Sequence, residues 1–184
     1  MDFKEYMQYM EDVVANPQQH PTYEDAEYYN YAKLNQSRSN RWLKKFEPTV
    51  AMKAAIDAIQ EKQTWIVITE PWCGDAAHSV PQLYTLVKDN AHITFEVQLR
   101  DAEPYLIDHY LTNGGKSIPK LIIRDAIGAD IAVWGPRPQA LQDIFTEMKN
   151  EGKEFAAIKE MMQKWYNEDK GAALQQELIG LLKP

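Results

Sequence analysis

Apolar positions along this chain switch between two periods, and the switches mark its elements. Residues 2–15 place Phe3, Tyr6, Met7, Met10, Val13 and Val14 at helical spacing, and Asn16-Pro17 closes that helix. Thr22 with Asp25 opens a second helix, continued by Tyr28, Tyr31, Ala32 and Leu34. Gln36–Asn40 is predicted to be a polar break, with Trp42, Leu43 and Phe46 following among basic residues. Glu47-Pro48 marks the next helix start, whose buried stripe is expected at Val50, Ala54, Ala55, Ala58 and Ile59.

The period then shortens. Trp65-Ile66-Val67-Ile68 is an apolar run long enough for one buried strand, and Pro71 and Gly74 punctuate the chain just beyond it. A helical segment comes next, with Asp75 in its first turn and Pro81 inside it. Ile93–Leu99 alternates as a strand, and Glu103–Leu111 is predicted to be a helix with Pro104 at its start. Asn113-Gly114-Gly115 is a turn, Ile118-Pro119 leads into the strand ending at Ile123, and Ile127–Asp130 is a hairpin turn returning through Ile131–Trp134. Gln139–Met148 is an amphipathic helix. Beyond it, one stripe of Phe155, Ile158, Met161, Met162 and Trp165 and another of Leu174, Leu178, Leu181 and Leu182 predict further helices packed on the core. The order implies an α/β fold, and two strands joined through a helix predict a parallel βαβ unit.

Bulk properties narrow the function classes. At 184 residues the chain has room for one domain with a full core. A net charge of −7 argues against a nucleic-acid surface. No apolar run approaches the roughly 18–20 residues of a membrane helix. The acidic start MDFKEYMQYM lacks the apolar region of a signal peptide. A single cysteine allows no internal disulfide, so a cytoplasmic location is expected.

That cysteine, Cys73, stands where the apolar strand gives way to a helix. A sulfur there lies near unsatisfied backbone N–H groups and the positive end of the helix dipole, and both favour thiolate. Asp75 and Glu70 oppose this as like charges, which gives an expected thiol pKa between about 7.5 and 9. His78 follows five residues later, about 140° around the helix, so it is better placed to meet Asp75 than the sulfur. The other histidines (His20, His92 and His109) form no metal pattern, and no metal or cofactor is expected. The tyrosines Tyr23, Tyr28, Tyr29 and Tyr31 could form a ligand surface, but packing with hydroxyls at the rim is the expected role.

Trp72-Cys73-Gly74 after an apolar strand, with Pro81 eight residues beyond the cysteine and Leu83 after it, resembles the active-site segment of the thioredoxin family. More narrowly it resembles bacterial thioredoxin-like proteins that carry W-C-G-D-C, as a one-cysteine variant. The resemblance covers about residues 48–149. It implies a thioredoxin fold, a central mixed sheet flanked by helices, with helical extensions at 1–47 and 150–184. It further implies that Ile118-Pro119, 46 residues after Cys73, is the family's cis-proline facing the cysteine. The backbone of Ile118 could then pair with an extended peptide. Trp134-Gly135-Pro136-Arg137-Pro138 matches the loop that completes the substrate groove; there Trp134 and Arg137 are either groove residues or a core ring and a solvated cation. The substrate-binding set is therefore Trp72, Gly74, Asp75, Ile118, Pro119, Gly135 and Arg137 around Cys73.

The sequence departs from the family pattern at the resolving cysteine, where Ala76 stands, and at the buried acid, where Val67 stands. Glu70, at the place of a peroxiredoxin threonine, disfavours peroxidase chemistry, and Asp75 suits neither the cluster nor the glutathione of monothiol glutaredoxins. Two functions remain. One is monothiol thiol–disulfide exchange in redox homeostasis, with Cys73 attacking and an external low-molecular-weight thiol finishing the cycle. The other is a non-catalytic module that uses the cis-proline groove for a peptide or protein partner.

Overall fold

The computed structural model describes residues 1–182. Helix α1 (Phe3–Ala15) begins in a reciprocal capping box between Asp2 and Glu5 and buries Phe3, Tyr6, Met10 and Val13. Two short 3-10 turns lead to α2 (Ala26–Lys45), whose cap is Asp25. Then come α3 (Val50–Asp57), β1 (Gln63–Thr69), α4 (Gly74–Val87), β2 (Ile93–Leu99), β3 (Lys120–Arg124), β4 (Asp130–Trp134), α5 (Gln139–Asn150), α6 (Phe155–Asp169) and α7 (Ala172–Leu181). The last two residues of the expected 150–184 extension lie outside the described residues.

The sheet order is β2-β1-β3-β4. Strand β1 pairs parallel to β2, the right partner for a strand reached through a helix, and antiparallel to β3; β3 and β4 form the hairpin. Successive residues of β1 from Trp65 to Thr69 are buried, so side chains on both faces of this central strand are covered. The outer edge of β2 is met by Met1, whose backbone exchanges hydrogen bonds with Val97. This is the thioredoxin architecture expected from the sequence.

Four local expectations are corrected. Gln36–Asn40 is no break, because α2 runs through it. A buried polar seam runs along it from the preceding residue: Asn35 donates to the Pro71 carbonyl at 3.0 Å and Ser39 to the Ala77 carbonyl at 3.5 Å. Glu103–Leu111 forms only one 3-10 turn, Leu106–His109, because Tyr105 sits in the left-handed region at φ 54° and the chain cannot wind a regular helix through it. In α3 the buried side chains are Met52 and Ile56, while Val50 is 89% exposed at the first turn. In α6 Phe155 is exposed, Met161, Met162 and Trp165 are half-buried, and only Ile158 and Tyr166 are buried.

Helix α7 is tied more firmly than α6. Leu174 and Leu178 enter the core, Gln175 accepts from the Thr49 N–H, and Glu177 accepts from the Trp134 indole at 2.6 Å. Trp134 is thus a core ring. Gly171 opens α7 at φ +85°, and a Cβ there would lie 2.6 Å from Gln82 Oε1 and 2.8 Å from the Phe46 ring. Gly171→Ala is therefore expected to destabilise the protein by about 1–3 kcal/mol, through backbone strain plus overpacking. Urea unfolding checks this; a midpoint equal to wild type would contradict it.

Candidate functional site

Cys73 occupies the N-cap of α4 with extended backbone geometry (φ −77°, ψ 116°). Its N–H donates to the Glu70 carbonyl, which tightens the turn between β1 and the helix. Its Sγ–H donates to the Ile118 carbonyl at 3.3 Å, and the Ile118-Pro119 bond is cis. The structure thus sets Ile118 and Pro119 directly beside the sulfur. Cys73 is only 7% exposed, so its sulfur is out of water. Burial, then the Asp75 charge, push the thiol up to about 12, against the weaker pull of the Ala76 N–H, Arg137 and the Asp75 N–H. The expected range near neutrality counted the helix end and the local charges but not the loss of water.

Asp75 is the centre of the polar arrangement. It lies in the first turn of α4, buried, and makes no bond to the helix's own N–H groups. Arg137 from the β4–α5 loop donates to its Oδ2 through Nη2 at 2.7 Å and Nε at 3.1 Å. Tyr166 from α6 donates to its Oδ1 at 2.7 Å. Arg137 also donates to Gln142 at 2.8 Å, and its guanidinium lies 4.4 Å from the Phe145 ring centre. Arg137 is therefore neither solvated nor free to hold an outside anion. Burial and the Asp75 carboxylate raise the Tyr166 hydroxyl well above its ordinary value, so it acts as a neutral donor.

His78 does not meet Asp75. Its Nδ1 accepts from the Trp42 indole at 2.8 Å, which leaves Nε2–H to donate to Gln163 at 3.2 Å, and its ring stacks on Tyr166 at 4.2 Å. Burial first, then the charge of Arg38, push its pKa down to about 3, so it stays neutral at physiological pH. Among the described residues no cluster of His, Cys, Asp or Glu is set out to hold a metal ion.

Trp72 is half-buried, with Arg100 4.5 Å from its ring centre and Tyr28 edge-on at 5.5 Å. Gly74 has open space where a Cβ would sit. Gly135, at φ +111°, passes so close to the Pro119 carbonyl that a Cβ would collide with it, so only glycine lets the two loops touch. Lys120, buried beside Pro119, donates to Thr112 at 2.5 Å and to the Gly135 carbonyl at 3.0 Å. A concave surface of about 830 Å³ opens between Thr112, Asn113, Gly135, Arg137, Gln142 and Glu147. It reaches the Gly135–Arg137 loop but not Cys73, Trp72, Ile118 or Pro119. The sequence offered no sign of Tyr166, Gln163 or Trp42 at the site, because each comes from an element outside the motif.

Among the expected tyrosine cluster, Tyr23 is buried, Tyr29 bonds the Val14 carbonyl at 3.4 Å, and Tyr28 is 42% exposed. Glu70 is buried near them and accepts from the Asp101 N–H at 3.0 Å. Burial pushes its carboxyl from 4.5 up to about 7. A carboxyl raised in the folded state stabilises fully below its unfolded value, and that contribution is lost as pH rises through the folded one. Stability is expected to fall between pH 4.5 and 7 by up to about 3 kcal/mol from this group, and Glu70→Gln should flatten the slope. Urea unfolding of both proteins across that window checks it; equal slopes would contradict it.

Comparison with known proteins fits this geometry. The family model described as Thioredoxin matches residues 22–149, so the match begins earlier than residue 48 and takes in α2. No curated protein matches. Among solved structures, an HIV epitope scaffold is similar with a TM-score of 0.59 at 14% identity, over 83% of this chain and 89% of that one. A protein of unknown function from Pseudomonas aeruginosa is similar with a TM-score of 0.53 at 18% identity, over 76% of this chain and 86% of that one. These two share the fold. With the family model spanning most of the chain and the cysteine, cis-proline and glycine loops meeting at one end of the sheet, this chain belongs to the thioredoxin family.

Proposed function

We propose that this chain is a single-cysteine variant of the W-C-G-D-C type, and that it works as a non-catalytic binding module. A peptide or protein segment would be held along the Ile118-Pro119 and Gly135–Arg137 loops. One observation carries this: the only thiol is out of water and donates its S–H hydrogen bond to the Ile118 carbonyl. A nucleophile must be thiolate and must be reached, and Cys73 in this state is neither. Ala76 offers no second sulfur to release a trapped partner. The concave surface beside Gly135 and Arg137 gives a partner room away from the sulfur.

Monothiol exchange is the second reading, favoured by the Asp75 and Ala76 N–H groups that act on the sulfur. A thiolate formed there would attack a disulfide, expel one thiolate, and await an external thiol to reduce the mixed disulfide.

Insulin reduction with glutathione and glutathione reductase as the electron source, which supplies the external thiol, separates the two. The binding module is expected to give no rate above that of Cys73→Ser. Repeated turnover would overturn it. A native Cys73 that forms a mixed disulfide with glutathione disulfide as fast as free cysteine does would establish the exchange reading instead.

A further inference from the structure

A helix beyond the family domain reaches the cysteine helix. The family match ends at residue 149, and α6 spans Phe155–Asp169. From there Tyr166 bonds Asp75, and Gln163 accepts from His78, so two polar positions in the first turns of α4 are held by one added helix. Asp75 stands two residues after Cys73 at the start of α4, so Tyr166 docks on the turn that carries the sulfur.

The attachment of α6 is largely polar. Besides those two bonds, Asn167 accepts from Arg41 at 2.8 Å and Lys159 bonds the Tyr31 hydroxyl, both linking it to α2. Only Ile158 and Tyr166 of its side chains are buried, whereas α7 sends Leu174 and Leu178 into the core. A helix with few buried apolar contacts and many exposed polar ones opens more easily than the core. Its two ends are jointed. Gly152 at φ +70° precedes it, and Lys170 at φ +54° with Gly171 at φ +85° follows it.

We infer that α6 is an intramolecular gate over the first turn of α4: docked, it keeps Cys73 buried, and its local opening, with α7 still seated, exposes the thiol. The gate rests on the burial of Cys73 and not on what the groove holds.

The test compares alkylation of Cys73 by iodoacetamide in the folded protein with amide exchange of α6. Tyr166→Phe removes the hydroxyl bonded to Asp75 and keeps the ring stacked on His78. Arg41→Ala releases the α6 residue Asn167 from α2, away from the sulfur. Each is expected to raise the alkylation rate at least about 5-fold, and the pair together more, as α6 amides lose protection while the sheet keeps its own. An opening equilibrium scales the rate similarly across pH, whereas a direct effect on the thiol would move the midpoint of the pH profile. Faster α6 exchange with alkylation unchanged in Arg41→Ala would overturn the gate. So would wild-type α6 amides that exchange as slowly as those of β1, because α6 would then open only with the whole fold. Insulin turnover by the wild-type protein would sink the binding-module reading and leave the gate standing.

Discussion

A carboxylate buried in the first turn of the cysteine helix must be paired, and the pairing of Asp75 orders much of the rest. Leaving such a charge without partners would cost several kcal/mol. Arg137 and Tyr166 satisfy both its oxygens, which binds α4, the β4–α5 loop and α6 at one point. The Gly135 loop must then lie against Pro119, because Arg137 follows it by two residues and is fixed at Asp75. Tyr166 in turn supplies the face on which His78 stacks, and His78 ties in Trp42 of α2.

The same centre sets the state of the sulfur. A helix N-terminus contributes about 0.3–1 kcal/mol toward a thiolate, less than one pKa unit. The rise of Cys73 from 9.0 to about 12 corresponds to about 4 kcal/mol in the other direction, so burial with Asp75 outweighs the dipole. Arg137 softens the effect of Asp75 without reversing it. A motif that in an exposed loop would activate a cysteine here surrounds a neutral one.

Much of this was legible in the sequence. The order of helices and strands depends on local pattern, and the resemblance of the W-C-G segment, the Ile118-Pro119 pair and the Gly135 loop to the thioredoxin family implied the meeting of Cys73 with Ile118 and of Pro119 with Gly135 that is found. What pattern could not carry was which surfaces face each other. Gln36–Asn40 looks like a break in a helix until the turn before α4 and α4 itself lie against α2, where Asn35 bonds Pro71 and Ser39 bonds Ala77. The stripe of α3 moved to Met52 and Ile56 because its packing is decided by α7 and α4, not by alanine spacing. Tyr166 reaches Asp75 across 91 residues, and nothing in its local sequence separates it from its half-buried neighbour Trp165.

The most direct measurement is an ultraviolet titration of the thiolate, taken as the absorbance difference between wild type and Cys73→Ser. With one cysteine in the chain, the signal belongs to one group. A buried neutral thiol should show no thiolate below about pH 10 while the fold persists. A midpoint between about 7 and 9 in the folded protein would mean that the helix end, not burial, governs Cys73, and would contradict the buried-thiol site.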